Sequence, residues 1–166
     1  MKERSAVIVS VVMGSDSDLP VMEEALKVLA EFSIPHELFL TSAHRTPERT
    51  SLFARGAAKR GVQIIIVGAG AAAHLAGVIA SQTMLPVIGV PIDATSLRGM
   101  DALFATVQMP AGVPVATMAI GKAGAKNAAL LAIRILARED VGLQKKLQAY
   151  IHKMASDVER KHENLK

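Results

Sequence analysis

Apolar residues along the chain follow two alternating spacings, which predict strands and helices in turn. A run of mainly β-branched apolar residues such as Ala6–Met13, which is interrupted only by Ser10, is typical of a strand that is covered on both faces. Asp18–Phe32 instead places apolar residues three or four positions apart, as an amphipathic helix does. Thr46 followed by Pro47 indicates a further helix start, because proline at the first helical position loses no hydrogen bond. The pattern predicts strands at 6–13, 34–41, 62–67, 87–90 and 113–120, and helices at 18–32, 47–60, 71–82, 97–107, 123–138 and 140–163.

Strands that alternate with helices predict right-handed crossovers and a mainly parallel sheet with helices on both faces. Among α/β proteins, the doubly wound, flavodoxin-like class fits a count of about five strands best. We therefore predict a single-domain, three-layer α/β/α fold over residues 1–166, which ends in a C-terminal amphipathic helix at about 140–163. The apolar stripe of that helix consists of Leu143, Leu147, Tyr150, Ile151, Met154 and Val158.

Composition narrows the class of protein. The chain has 166 residues, of which 51% are hydrophobic and 20% charged, so it can bury a core and is not a disordered chain. It contains no cysteine, which excludes disulfides, thiolate metal sites and a cysteine nucleophile. Because nothing in the sequence requires an oxidising compartment, we expect the protein in the cytoplasm.

The charge pattern favours a small anionic partner over a nucleic acid or a membrane. The formal net charge is +4, yet only 3% of the residues are aromatic, which leaves few surfaces on which bases could stack. The uncharged stretch between Arg60 and Asp93 is broken too often by glycine, proline and histidine for a membrane helix. The segment Met1–Met13 has a short basic start followed by an apolar run, but it lacks a small-residue cleavage site. We therefore expect a buried strand there and not a signal peptide.

In doubly wound proteins ligands bind at the carboxyl ends of the strands, and the loops expected there hold the most distinctive residues. The first loop, at 14–18, combines a glycine with two serines and two aspartates. Serine hydroxyls and free amides suit a phosphate, and Asp18 is suited to accept hydrogen bonds from sugar hydroxyls beside it. Serine and aspartate are also favoured N-cap residues, so a plain helix cap is the alternative interpretation of this loop.

The second and third loops add groups that can bind an anion and move a proton. His44 and Arg45 follow the second strand; histidine gives and takes a proton near neutral pH, and arginine binds phosphate through two parallel bonds. The third loop, at 68–75, consists mainly of glycine and alanine, which let a ligand approach the backbone. His74 is predicted in the first turn of the next helix, either as a ligand contact or as a packed structural histidine. The fourth loop, at 108–114, is predicted as a structural turn because it has two prolines and a glycine.

Five segments, in order and in register, resemble the class I form of the N5-carboxyaminoimidazole ribonucleotide mutases, the PurE-type enzymes of de novo purine synthesis. The segments are GSDSD at 14–18, SAHRTP at 42–47, GAGAAAHLAG at 68–77, VQMPAGVPVAT at 107–117 and AIGKAGAKNAALLA at 119–132. The resemblance implies an isomerase that moves a carboxylate from the exocyclic N5 to ring carbon C4 of an aminoimidazole ribonucleotide. It implies no cofactor, no metal and no ATP, and it implies a homo-oligomer, since family members form homo-octamers.

The same resemblance implies a role for individual residues. His44 would be the catalytic proton carrier, and Asp18 would bind the ribose hydroxyls. The 5′-phosphate would be held by Ser15, Ser17 and Arg45. The pocket for the base and the carboxylate would be lined by Ser42, Ala43, Gly70, Ala71, His74 and Leu75.

Two positions depart from the family pattern, because this chain has Ala71 and Ala76 where glycine and proline are usual. Ala76 replaces a first-turn proline and is expected to be tolerated. If position 71 requires a positive φ, alanine there costs on the order of 1 kcal/mol. The backbone amide is retained in either case, so we predict that activity survives.

Three other functions stay open at this point. The first is the related carboxylase, which takes free CO2 and the uncarboxylated ribonucleotide, and which is expected to carry lysine where this chain has Arg45. The second is a flavin-binding electron carrier of the same fold, although no strand-end loop offers an aromatic residue to pack on a flavin. The third is a catalytically silent phosphate-binding protein, in which replacement of His44 would change nothing.

Overall fold

The computed structural model describes residues 7–165. The chain divides into two compact units, Met1–Ala132 and Ile133–Lys166, and a single domain over 1–166 stays a prediction. The strands are β1 (Val9–Met13), β2 (His36–Leu40), β3 (Ile64–Gly70), β4 (Val87–Ile92) and β5 (Ala116–Thr117). The helices are α1 (Leu19–Glu31), α2 (Pro47–Gly56), α3 (Leu75–Ala80), α4 (Met100–Val107), α5 (Lys122–Leu136) and α6 (Val141–Glu163), with single 3₁₀ turns at Asp16–Asp18 and Ala58–Arg60.

The five strands form one parallel sheet in the order β2-β1-β3-β4-β5. This is the strand order of flavodoxin-like doubly wound proteins, so the predicted fold class is confirmed. The register pairs Val9 with both His36 and Ile64, which brings the carboxyl ends of the first three strands to one edge. The order reverses between β1 and β3, and this reversal is where such folds place their ligands.

The core of the first unit lies on the central strands. Every residue of β1 and β4 is buried, and so are all residues of β3 except the last, as the continuous apolar runs predict for strands covered on both faces. Helix α1 packs closely on this sheet. A Cβ added at Gly68 would lie 2.3 Å from Sδ of Met22, so the close approach of α1 to β3 depends on this glycine.

Several predicted strand bounds are wrong by a few residues. β5 is the clearest case, because only Ala116–Thr117 pairs with β4 where 113–120 was expected. Pro114 has no N–H to donate to a ladder, which limits the strand to its short later part. The prediction for β1 begins at Ala6, which lies outside the described residues. β1 begins at Val9 rather than at 6, and β4 ends at Ile92 rather than at 90. β2 covers His36–Leu40 rather than 34–41, and β3 covers Ile64–Gly70 rather than 62–67.

Two helix bounds also differ from prediction. Helix α3 begins at Leu75 instead of Ala71, because the backbone of Ala71 is left-handed and cannot start a helix. Helix α2 ends at Gly56, and a separate 3₁₀ turn covers the rest of the predicted segment. The other helices begin and end close to their predicted bounds. None of the helices among residues 7–165 has the length and apolar character that crossing a membrane requires.

The second unit consists of the end of α5 and the whole of α6. The carboxylate of Asp140 accepts a hydrogen bond of 2.9 Å from the N–H of Leu143, which caps the start of α6 as an aspartate N-cap should. Leu143 and Leu147 are buried, whereas Ile151, Met154 and Val158 further along the predicted stripe are exposed. The predicted amphipathic helix is present, and its second half leaves its apolar residues uncovered.

Candidate functional site

The loops after β1, β2 and β3 surround one cavity of about 370 Å³ at the carboxyl edge of the sheet. Because β1 lies between β2 and β3, these three loops are neighbours although they are distant in sequence. The cavity is lined by Gly14, Ser15, Ser17, Asp18, Ser42, Ala43, His44, Arg45, Ala69, Gly70, Ala71, Ala72, Leu75 and Ala94.

The residues predicted from sequence to bind the substrate therefore come together at this cavity, with one exception. His74 is not among the lining residues, and among residues 7–165 its side chain contacts the site through the ring of His44. Sequence reasoning missed Ala94, because β4 was expected to end at residue 90. The strand continues to Ile92, which puts Ala94 at the same edge as the other loops.

The first loop is a helix cap that also faces the cavity. The Ser15 side chain accepts from the Ser17 N–H, and the Asp18 carboxylate accepts a hydrogen bond of 3.0 Å from the Ser15 N–H. These reciprocal bonds form a capping box. The capping interpretation is thus correct, and it leaves both serine hydroxyls beside the cavity. Ser17 Oγ lies 2.9 Å from Ser15 Oγ, so the two hydroxyls form one small polar patch.

Asp18 is the residue of the site whose carboxyl has a shifted pKa. Asp18 is only 4% exposed, and this burial raises the pKa of its carboxyl above the ordinary value. The backbone N–H groups of Ser15 and Gly14 lower the pKa in part, and the nearby Asp16 raises it. A buried carboxylate of this kind has unused acceptor capacity, which suits the hydroxyls of a bound sugar.

The second loop is held rigidly by a cluster of hydroxyl groups. Thr41 is buried, and its Oγ1 forms a hydrogen bond of 3.1 Å with Thr46 Oγ1. The Ser42 N–H donates to Thr46 Oγ1 at 2.9 Å. Arg45 Nη2 then donates to the carbonyl of Gly14 at 3.2 Å, which ties the second loop to the first. Within residues 7–165 no carboxylate forms an ion pair with Arg45, so its charge is available to an anion beside the first loop.

The third loop departs from ordinary backbone geometry at Ala71, whose φ is +52°. Position 71 therefore does require a positive φ, and alanine there carries a strain on the order of 1 kcal/mol that glycine would avoid. Gly70 before it cannot be replaced easily, because an added Cβ would lie 2.5 Å from the Cβ of Ala94. His74 is the N-cap of α3 and lies one residue before the helix, so its predicted place inside the first helical turn is wrong.

His44 and His74 form the most direct contact between the second and third loops. His44 Nε2 lies 2.9 Å from His74 Nδ1, the ring centroids are 5.0 Å apart and the planes are 84° apart. One of these two nitrogens must carry the shared proton. Within residues 7–165 no three His, Asp or Glu side chains are grouped so that they could hold a metal ion.

A second groove of about 370 Å³ shares Gly14, Ser15, Ser42 and Arg45 with the cavity. It contains Arg49, which sequence reasoning did not single out. Arg49 lies in the first turn of α2, four residues after Arg45. The Arg49 guanidinium lies 4.9 Å from the centre of the Phe39 ring, a cation–π contact that fixes its direction. The two arginines make this side of the site positive.

A switch-point cavity with paired hydroxyls, an arginine without an ion pair among residues 7–165 and a histidine pair defines a class of doubly wound protein that can bind a small phosphorylated ligand and move a proton. The family model described as AIR carboxylase matches residues 8–157, and the chain belongs to that family. The resemblance drawn from the five sequence segments is thereby confirmed.

Named relatives agree with this family. An N5-carboxyaminoimidazole ribonucleotide mutase of Pyrococcus horikoshii is 54% identical over 158 residues, which are 95% of this chain and 88% of the relative. A phosphoribosylaminoimidazole carboxylase of Saccharomyces cerevisiae is 51% identical over 151 residues, which are 91% of this chain and 26% of the relative. The crystal structure of Treponema denticola PurE has a TM-score of 0.85 at 28% identity and covers 96% of this chain and 98% of that one.

Proposed function

We propose that this protein is an N5-carboxyaminoimidazole ribonucleotide mutase of purine biosynthesis, which forms 4-carboxy-5-aminoimidazole ribonucleotide. The observation that carries the proposal is the meeting of the loop serines, Arg45 and His44 around one cavity in a chain with mutase relatives of 54% identity. This reaction requires a site with groups that bind a phosphate and a side chain that acts as acid and base. Candidates for both lie at one edge of the sheet.

In this proposal the substrate's 5′-phosphate lies against the first loop. Ser15 and Ser17 offer adjacent hydroxyls, and Arg45 is held next to them by its bond to the Gly14 carbonyl. Arginine provides the charge and the paired donors that a phosphate accepts. The buried Asp18 carboxylate then takes the ribose hydroxyls, which are the donors nearest to a 5′-phosphate. The charge of Asp18 favours these donors and disfavours a phosphate in the same place.

The base and the migrating carboxylate are placed against the small residues of the second and third loops. Ser42, Ala43, Gly70, Ala71 and Leu75 line this part of the cavity. Such a wall offers backbone amides at short range and no fixed cation. A fixed cation would stabilise the carboxylate more than the neutral CO2 through which the reaction passes, and would slow the reaction.

His44 is proposed as the general acid and base. When the bond between N5 and the carboxylate carbon breaks, the electron pair stays on N5, and His44 donates a proton there as CO2 leaves. C4 then attacks the trapped CO2 and forms the new carbon–carbon bond. His44 takes the C4 proton, which restores the aromatic ring and the starting protonation state. Positioned proton transfer of this kind contributes about 10²–10⁴ in rate.

The carboxylase is the second candidate, because a yeast carboxylase is 51% identical to this chain. Initial rates on two substrates separate the candidates. The mutase proposal predicts turnover of N5-carboxyaminoimidazole ribonucleotide without ATP or bicarbonate. It predicts much slower carboxylation of the uncarboxylated ribonucleotide at millimolar bicarbonate. The reverse order of rates would assign the protein to the carboxylases, and a His44→Asn variant with full activity would remove the proposed proton carrier.

We also propose a homo-octamer in the cytoplasm, as the family resemblance implies. Large apolar side chains are exposed on the first unit. Leu52 is 75% exposed, Leu97 is 60% exposed and Met84 is fully exposed. A contiguous patch of such residues is typical of a surface that another chain covers, and the octamer proposal predicts that they form one. No cofactor is needed for the proposed reaction, because it neither oxidises the substrate nor consumes a nucleotide.

A further inference from the structure

Arg49 is a charged residue beside the cavity that has no role in the proposed reaction so far. It lines the second groove, which shares part of its wall with the cavity, namely Gly14, Ser15, Ser42 and Arg45. We propose that Arg49 is a second binding residue for the 5′-phosphate of the substrate, which it holds together with Arg45. This inference rests on the proposed function, because it takes the ligand to be an ester of ribose 5-phosphate.

One arginine does not balance the charge of a phosphate at the first loop. A phosphate monoester carries a charge of about −1.5 to −2 near neutral pH. Arg45 supplies a single positive charge, whereas the first loop itself brings the carboxylates of Asp16 and Asp18 to the same walls. A phosphate against the serine hydroxyls therefore requires a further cation. Of the residues within 7–165 that line the cavity or the groove, Arg49 is the one further arginine or lysine.

The guanidinium of Arg49 is held in place while its hydrogen-bond donors stay available. Its central carbon lies over the Phe39 ring, 4.9 Å from the ring centre. Phe39 is in turn stacked on Phe53 of α2, with ring centroids 4.5 Å apart, so the ring that supports Arg49 is itself fixed. A cation–π contact engages the charge and leaves the N–H groups of the guanidinium to other partners. No carboxylate among residues 7–165 forms an ion pair with Arg49.

The two arginines reach the same wall from two sides. Arg45 Nη2 donates to the Gly14 carbonyl at 3.2 Å, which holds Arg45 against the first loop. Ser15 and Arg45 line both the cavity and the groove, whereas Arg49 lines the groove. A phosphate at the shared wall is therefore contacted by Ser15 and Arg45 from the cavity and by Arg49 from the groove.

Binding of ribose 5-phosphate tests the proposal without any turnover. Isothermal titration calorimetry gives Kd for the parent protein, for Arg49→Gln, which keeps the length of the side chain and removes its charge, and for Arg49→Lys. We expect Kd to rise about tenfold in Arg49→Gln and about threefold in Arg49→Lys, because lysine keeps the charge but not the paired donors. Arg45→Gln should weaken binding at least as much as Arg49→Gln, since the two residues hold one phosphate.

Arg55→Gln is the matched control. Arg55 lies in the last turn of the same helix, carries the same charge and lines neither the cavity nor the groove, so this variant should match the parent protein. The titrations are repeated in 1 M KCl, where the screening length falls to about 3 Å. A direct contact predicts that Arg49→Gln still binds more weakly than the parent protein does there.

Four binding results would overturn the proposal. Equal Kd values for Arg49→Gln and the parent protein would mean that Arg49 does not contact the phosphate. An equal loss in Arg55→Gln would mean that any positive charge on α2 has the same effect. A difference that disappears in 1 M KCl would mean that Arg49 attracts the ligand only from a distance. A parent protein that does not bind ribose 5-phosphate would remove the phosphate site from both arginines.

Kinetics give a second measurement and separate this inference from the proposed function. The phosphate does not react, so the loss of a contact to it weakens binding of the substrate and of the transition state alike. We expect KM of Arg49→Gln to rise about tenfold while kcat stays within about twofold. A fall in kcat with KM unchanged would contradict the proposal. If the parent protein does not turn over the mutase substrate but its binding of ribose 5-phosphate depends on Arg49, the proposed function fails and this inference holds.

Discussion

Among single residues, Ala71 combines a left-handed backbone with a place in the wall of the cavity. We predict that Ala71→Gly raises the free energy of unfolding by up to about 1 kcal/mol, since relief of the strain exceeds the added freedom of the unfolded chain. Urea unfolding of the two proteins measures this change. Ala72→Gly, one position along the same loop, is the matched control and should be neutral or destabilising. A loss of stability in Ala71→Gly as large as in Ala72→Gly would contradict the account of strain.

Asp18 provides a prediction about pH. Burial raises the pKa of its carboxyl in the folded protein, so the folded state holds this proton more tightly than the unfolded state does. Its contribution to stability is therefore present below the unfolded value of about 4 and is lost as the pH rises through the folded value. We predict that the parent protein loses stability relative to Asp18→Asn between pH 4 and pH 8. Urea unfolding at both pH values measures the difference.

The control for this prediction is Asp16, the exposed neighbour in the same loop. Asp16→Asn keeps Asp18 and should keep the trend with pH. If the parent protein instead gained stability relative to Asp18→Asn as the pH rose, the carboxylate would be stabilised by its hydrogen bonds more than it is penalised by burial. The assignment of unused acceptor capacity to Asp18 would then be wrong.

At the scale of elements, the site depends on the close packing of the carboxyl end of β3 against the carboxyl end of β4. We predict that Gly70→Ala lowers the free energy of unfolding by about 1–3 kcal/mol, because its Cβ would meet both the Ala94 Cβ and the Ile92 carbonyl. Thermal or urea unfolding gives the value. Gly56→Ala on α2 is the control, since its Cβ has room and alanine favours helix by about 1 kcal/mol. Equal stability of the two variants would mean that the strand ends are looser than described.

Most of the fold follows from local pattern, and the exceptions have local physical causes. Mainly apolar runs such as Val9–Met13 identify β1, β3 and β4, because strands covered on both faces bury almost only apolar side chains. The one polar side chain of that run, Ser10, is buried and donates a hydrogen bond of 2.6 Å to Glu37. The start of α3 could not be placed from sequence, since alanine ordinarily favours helix and only the φ of Ala71 shows otherwise. The shortness of β5 depends on its pairing at the sheet edge, which no local pattern records.

The sequence is enough to predict which residues form the candidate site, but not which of them contact one another. Glycines, serines and histidines after strands indicate ligand loops in any doubly wound protein, which is enough to bring Ser15, His44 and Gly70 together. The pairing of His44 with His74 joins residues 30 positions apart and depends on the exact end of β3. Sequence therefore placed both histidines at the site, but the structure is needed to separate the lining ring from the one behind it.

For the whole molecule, the exposed apolar residues bear on assembly. Met84 is fully exposed, and Leu52, Leu97 and Phe104 are each more than half exposed. Such residues favour association over contact with water, and the family resemblance implies an octamer. We therefore predict that light scattering at micromolar concentration gives a mass eight times that of one chain. A monomer under these conditions would contradict the proposed octamer.

The most direct test of the proposed reaction follows the carboxylate carbon itself. The substrate would carry ¹³C in its N5 carboxylate, and the buffer would hold unlabelled bicarbonate. A cavity that traps CO2 beside C4 predicts a product with ¹³C in the C4 carboxylate at nearly the enrichment of the substrate. A product whose C4 carboxylate carries carbon from the unlabelled pool would contradict the mutase account, because CO2 would then be leaving the site before C4 attacks it.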